Sequence, residues 1–569
     1  MKDQHEQVTV AQTYLRLLAD RGVDYLFANA GTDFASIIEA YAVLGKEGVP
    51  VPVTVPHENV AIHMAIGYWM ISGRMQAVMV HVNVGTANAI CGILNAARCH
   101  VPVLFTAGRT PITERGERGS RNLHIHWTQE MFDQAGMVRE AVKWEYELRT
   151  GSQLVTVVDR ALAIADSAPK GPVYLTLPRE VLAGRGTAIE DFPPPRHGTT
   201  ALAAPGRQAM QELVSMFTAA RLPVIITSGM ALEPGGAEAL AAFAQKYAVP
   251  VIQFVPRCAS LPSRHSMHAG YDPVPWIGRA DLILVLDSAV PWIPEHTDVS
   301  HVRIVQIAAD PIHADIPIRG FECDLAIAGS PAEALAALHA ELDGFAQTVE
   351  AEIAERRVLV EKQIGRARDD AMELVEHVKD QTPIHPAWFS HCINLAKGEN
   401  SILVKEAPQL ALAQLDFVER MSLVHAGAAG GLGWGLGAAL GAKLAAPEKL
   451  VIAVEGDGSY MFCTPVAAHY VALEQDAPFL TVIFNNRSWN EVRAATRHVY
   501  PEGAAARDGS YEPLTDFHPS LQLHKVVEAA GGYGEQVSDP RELPAALARA
   551  IAVVKNERRQ AVLDVICAN

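Results

Sequence analysis

Cysteine is scarce in this chain of 569 residues: there are seven, spread from Cys91 to Cys567, with no C-x-x-C and no paired spacing. That excludes a disulfide framework and implies free, mostly buried thiols in a reducing compartment. Positive charge is also short, with 47 Lys and Arg against 64 Asp and Glu and a net charge of −17. A chain so poor in clustered cations is unsuited to nucleic-acid backbones or anionic membranes. Any phosphate it binds is expected to be held by backbone N–H groups or a metal. No apolar run follows the charged start MKDQHEQVTV, so no secretory signal is read there. The stretch 421–442 lacks formal charge, but its seven glycines argue against a membrane span. No short-period repeat is present. The expectation is a soluble, cytoplasmic enzyme.

What is present is a rhythm of short apolar runs and longer helical segments. Tyr25–Asn29, Ala77–Val82, Val101–Ala107 and Val173–Leu177 read as strands, with helices such as Glu58–Ile71 and Asn88–Ala97 between them. This alternation predicts an α/β unit with a parallel sheet. The prolines of Phe192–Gly198 mark a linker. A second unit carries strands at Pro223–Thr227, Pro250–Gln253, Leu282–Leu286 and Val302–Ile307. A charged helical connector, 347–380, leads to a third unit with strands at Ser401–Val404, Leu450–Val454, Leu480–Phe484 and Ala561–Val565. The boundaries read as 1–187, 200–345 and 375–569, each an α/β domain with a parallel sheet.

The third unit holds the strongest chemical signal. A buried strand, Leu450–Val454, ends on Gly456-Asp457-Gly458-Ser459. Open α/β sheets bind ligands at that end. The glycines let backbone N–H groups approach a phosphate, and Asp457 supplies a hard oxygen. Downstream, Asn485-Asn486-Arg487-Ser488 follows another strand and offers oxygens that would complete a shell around Mg²⁺. Upstream, His425–Trp434 is glycine-rich. A nucleotide-binding glycine fingerprint competes for this run, but no strand is expected immediately before it and no acidic residue follows at the right distance.

Together these residues resemble the thiamine diphosphate-dependent enzymes of the pyruvate decarboxylase and acetolactate synthase group. The resemblance implies three Rossmann-like domains in the order pyrimidine-binding, central and diphosphate-binding. It implies Asp457, the Asn486 side chain and the Ser488 carbonyl as metal ligands, with Gly430, Gly431, Gly456, Gly458 and Ser459 against the cofactor. Leu432 would support the bend between its two rings. Glu58, in Pro56-His57-Glu58-Asn59, would hydrogen-bond the pyrimidine ring, since a carboxyl in a dry pocket can share a proton. In this group the two halves of the site come from different subunits, so a homodimer is implied at least, and a homotetramer is expected.

Within the group the likeness is greatest to benzoylformate decarboxylases. Gly31-Thr32-Asp33 resembles their substrate-side turn, with Thr32 toward the substrate carboxylate. His81 and His265 resemble their two proton-moving histidines. His124 and His126 read as a pair in a surface loop, and His63 and His100 as structural. The segment Glu491-Val492-Arg493-Ala494-Ala495 departs from the aromatic lining of that substrate pocket. A larger or more polar pocket follows, and Glu491 would favour a polar or cationic tail. The implied activity is non-oxidative decarboxylation of a 2-oxo acid. The alternatives are a carboligase of the acetolactate synthase kind or a C–C lyase, and a cofactor-binding relative without turnover.

Overall fold

Strands buried on both faces need apolar residues at every position, and three sets of such strands organise this molecule. The structure is a computed structural model and describes residues 8–186, 192–507 and 511–569. In the N-terminal domain, β1 (Tyr25–Ala28), β2 (Val51–Thr54), β3 (Ala77–Val80), β4 (Leu104–Arg109), β5 (Glu145–Glu147) and β6 (Val173–Pro178) form a sheet in the order β2-β1-β3-β4-β6-β5. In the central domain, β7 (Pro223–Thr227), β8 (Val251–Ile252), β9 (Leu282–Leu286), β10 (Arg303–Ala308) and β11 (Leu325–Ala328) run β11-β10-β9-β7-β8. In the C-terminal domain, β12 (Ser401–Lys405), β13 (Leu423–Val424), β14 (Leu450–Gly456), β15 (Leu480–Asn485), β16 (Tyr533–Val537) and β17 (Ala561–Ile566) run β13-β12-β14-β15-β17-β16. Every strand pairing in the three sheets is parallel.

The expected strands are all present, to within a few residues at their ends. The first domain boundary was read at residue 187, which lies outside the described residues. The charged connector is one 29-residue helix, Glu350–Val378, with only Val360, Ile364, Val375 and Val378 buried.

The N-terminal and C-terminal domains meet through two helices, Glu58–Ser72 and Gly435–Ala445. Small residues set how closely they pack. A Cβ on Gly67 would stand 2.6 Å from the Cα of Ala438, and one on Gly441 would stand 2.6 Å from the Tyr68 nitrogen. Gly441 of the uncharged stretch therefore serves a helix–helix contact. Among the described residues, no helix is long and apolar enough to cross a membrane.

Candidate active site

β14 delivers Asp457 to the carboxyl end of the C-terminal sheet, where it opens the short helix Asp457–Phe462. Asp457 and Ser459 are buried there. The Oδ1 of Asp457 accepts from the Gly458 amide at 2.8 Å. The amides of Arg487 and Ser488 lie close enough to lower the pKa of this carboxyl, so the Asn486 loop is beside it. Its Oδ2 has no hydrogen-bond partner among the described residues. Burial pushes the carboxyl up to about 6. A desolvated acid with one free oxygen, beside further oxygen donors, suits a hard divalent cation such as Mg²⁺.

The Asn486 loop is held in an uncommon shape. Arg487 has φ +59°, a left-handed conformation that non-glycine residues rarely adopt. Two side-chain bonds support it: Asn485 Oδ1 accepts from the Arg487 amide at 3.1 Å, and Asn486 Oδ1 accepts from the Ser488 amide at 3.2 Å. Gly458 also has a packing reason to be glycine, since a Cβ there would stand 2.5 Å from the Trp489 ring at Cη2. Gly456 has an ordinary extended backbone, φ −72°.

The glycine-rich run leaves β13 directly, but the fingerprint glycines begin only at Gly433, so no strand immediately precedes them. β13 has two residues at the sheet edge and is too short to show in an apolar pattern. Gly430 and Gly433 have φ +71° and +86° and need glycine for that reason. The amides of Gly433, Trp434 and Gly435 donate to the Glu406 carboxylate at 2.6, 3.0 and 2.6 Å. Glu406 lies buried against Glu455, with Cys463 Sγ 3.7 and 3.8 Å from the two carboxyls. Burial and this neighbour push Glu455 well above the usual carboxylate range, and burial raises Glu406 as well. The sequence reading missed both acids.

The N-terminal domain closes on this run from the other side. Asn59 Nδ2 donates to the Gly433 carbonyl at 3.1 Å, and Asn95 Nδ2 donates to the Gly431 carbonyl at 2.8 Å. Cys91 Sγ lies 3.8 Å from the carbonyl of Leu432. Glu58, 6% exposed, accepts from Asn88 Nδ2 at 3.1 Å. These contacts lie within one chain, so bringing the Glu58 helix to the glycine-rich run does not by itself require a second subunit.

His81 stands at the end of β3 and is coupled electrostatically to Glu58. Its Nδ1 is 2.5 Å from Asp33 Oδ1, and its Nε2 faces the Gln129 amide at 3.3 Å. The hydrogen bond to Asp33 raises the His81 pKa, and burial opposes that rise. Gly31 and Gly108 leave room for the pair: a Cβ at Gly31 would stand 2.8 Å from His81 Cβ, and one at Gly108 would stand 2.5 Å from Asp33 Cγ. Thr32 is exposed, and its carbonyl accepts from Arg179 at 3.3 Å. His126 is buried and senses the charges of Arg179, His81 and Asp33, so it belongs to this side of the site.

Other expected residues lie elsewhere. His265 sits between Pro262 and Met267, with Arg368 donating to its carbonyl at 3.1 Å. Its neighbour Arg264 pairs with Glu399, just before β12, so His265 is at the amino end of the C-terminal sheet. That is the end opposite Asp457, and within the chain the structure does not bring His265 to His81. Glu491, Val492 and Ala495 lie on the helix Asn490–Val499, which has no buried residue. Glu491 Oε1 accepts from Gln409 at 2.9 Å. Separately, a cavity of about 530 Å³ lies between the N-terminal and central domains, beside the partly buried Arg257–Asp287 pair.

Three family descriptions match the chain. They are "Thiamine pyrophosphate enzyme, N-terminal TPP binding domain" over residues 8–137, "central domain" over 210–338 and "C-terminal TPP binding domain" over 407–565. Acetolactate synthase isozyme 3 large subunit of Escherichia coli (strain K12) is 26% identical, with 97% of this chain and 94% of that protein covered. A probable 2-ketoarginine decarboxylase of Pseudomonas aeruginosa is 28% identical, with 85% and 83% covered. Among solved structures, a thiamine diphosphate-dependent 4-hydroxybenzoylformate decarboxylase of Rhodococcus jostii RHA1 has a TM-score of 0.75 at 20% identity, with 99% of both chains covered.

Proposed function

Because the chain belongs to the thiamine pyrophosphate enzymes, in their decarboxylase and acetolactate synthase family, we propose that it decarboxylates a 2-oxo acid without oxidation. When bound, thiamine diphosphate supplies a nucleophilic carbon that adds to the 2-oxo group and takes up the electron pair left by departing CO₂. Asp457, Asn486 and Ser488 are the residues that would hold its divalent metal. Glu58, buried and oriented by Asn88, would share a proton with the pyrimidine ring. Gly430, Gly431 and Leu432 would shape the seat between the rings.

The observation that carries the decarboxylase reading is the His81–Asp33 pair beside Glu58. A histidine kept protonatable by a carboxylate is a proton donor for the carbon from which CO₂ has left. Thr32, with a hydroxyl that makes no bond among the described residues, would take the substrate carboxylate. The test is a panel of 2-oxo acids assayed for CO₂, aldehyde and acyloin. Stoichiometric aldehyde from the wild type, and loss of aldehyde in His81→Ala, support decarboxylation. Acyloin as the main product would instead support carboligation, the reading that the acetolactate synthase likeness favours.

A homodimer or homotetramer is part of this proposal. Phe462, Val466, Tyr470 and Leu473 are 53%, 67%, 43% and 61% exposed, and the last three fall at helical i, i+4, i+7 spacing. Such an apolar stripe is the kind of surface an assembly covers. Sedimentation velocity tests it.

A further inference from the structure

Lys405 is the last residue of β12, at the carboxyl end of the C-terminal sheet, and pairs with Val454 of β14. The amides of Glu406 and Ala407 both donate to the Val454 carbonyl, at 2.8 and 2.9 Å. The chain therefore turns directly over the end of the strand that delivers Asp457. His425, the start of the glycine-rich run, feels the Lys405 charge, and its pKa is pushed down to about 3 by burial and then by that charge. The charge of Glu491, whose carboxylate is held by Gln409, also acts on Lys405.

Among the described residues, the Lys405 ammonium makes no hydrogen bond and no ion pair, although it is partly buried. Burial pushes its pKa down to about 8, and Glu491 opposes that shift. Two lysines of this domain that are more buried than Lys405 are satisfied. Lys443 donates to the carbonyls of Pro447 and Lys449 at 2.7 and 2.9 Å, and Lys397 donates to the Asp416 carbonyl at 2.5 Å. A partly buried cation at a strand end, with no protein partner among the described residues, is placed to take its counter-charge from a ligand.

We infer that Lys405 is an anion-binding residue of this site, its ammonium receiving an oxyanion: a phosphate oxygen of the cofactor or the carboxylate of the 2-oxo acid. The inference rests on the family reading of the site and adds a side-chain cation to it.

The experiment compares wild-type protein with Lys405→Met and Lys405→Arg. Calorimetry measures binding of thiamine diphosphate with Mg²⁺ and of thiamine without phosphate, and steady-state kinetics use a neutral-tailed 2-oxo acid. If the cofactor supplies the anion, Lys405→Met weakens thiamine diphosphate binding by about 10- to 100-fold, leaves thiamine binding unchanged, and Lys405→Arg recovers most of the loss. If the substrate supplies it, cofactor affinity stays within about twofold and KM rises by the same factor at saturating cofactor, with recovery by arginine. Lys405→Met with cofactor affinity and KM both within about twofold of wild type overturns the inference. Should Lys405→Met fail to fold, Glu491→Gln replaces it. Removing the acid should tighten the same anion about two- to fivefold, and no change in either quantity overturns the inference. A wild-type protein that binds no thiamine diphosphate would instead overturn the family reading beneath it.

Discussion

Replacing Gly108 by alanine tests whether Asp33 governs His81. Gly108 lies in β4 with an ordinary backbone, so alanine adds bulk without dihedral strain. The new Cβ would stand 2.5 Å from Asp33 Cγ and 2.7 Å from its Cβ. Carbon atoms pack at about 3.5–4.0 Å, so the carboxyl must retreat by about 1 Å. That stretches the 2.5 Å contact with His81 to the limit of a hydrogen bond. Overpacking costs about 1–3 kcal/mol, and a lost charge-assisted bond about 1.5–3 kcal/mol. The N-terminal domain should lose about 2.5–6 kcal/mol in denaturant unfolding. The sign of the pH dependence follows from the raised His81 pKa. The pair contributes in full below the unfolded value of 6.5, and its contribution is lost as pH rises through the higher native value. The difference between wild type and variant should therefore shrink at alkaline pH, leaving the packing cost alone. Imidazole NMR should show the His81 midpoint moving to lower pH. Gly31→Ala, at an allowed φ of −128°, should displace the ring from the other side and move the midpoint the same way. An unmoved midpoint in Gly108→Ala would refute the argument that Asp33 sets this histidine.

Four further outcomes are expected. Thiamine diphosphate with Mg²⁺, at about a hundred to a thousand times its Kd, should stabilise the protein by roughly 3–4 kcal/mol, and Asp457→Ala should remove that shift in a thermal melt. Glu58→Gln should leave cofactor binding largely intact but slow deuterium exchange of the cofactor C2–H by orders of magnitude; unchanged exchange would put the activating acid elsewhere. Glu406→Ala strands three buried amides beside Glu455, so it should cost about 3–5 kcal/mol by urea unfolding, and a loss below about 1 kcal/mol would mean the glycine-rich run holds its own shape. Glu491→Ala should change the kcat/KM ratio of cationic to neutral substrates by less than about fivefold, because an exposed carboxylate is well screened; a larger change would require the helix Asn490–Val499 to close over the substrate.

The sequence by itself determined the strands that lie inside the three sheets and the loop that follows β14. Strands such as β9 and β14 are covered on both faces, so their residues must be apolar in succession, and that run is visible without a structure. The strands left unread, β2, β5, β11, β13 and β16, are all edge strands. β2 and β11 each bury one residue of four, and β13 has only two residues, so their composition carries little signal. The glycine-aspartate-glycine turn and the paired asparagines were legible because hard-cation and phosphate chemistry needs those residue types close together in the chain. What only the tertiary structure decided are the pairings between distant segments. Asp33 meets His81, Glu406 meets Glu455 and the amides of residues 433–435, and Lys405 has no partner among the described residues. His265 and His126 show the same limit. One is carried to the far end of a sheet and the other into the neighbourhood of His81, because burial and distance arise from how helices pack on sheets, which the local sequence around a histidine does not encode.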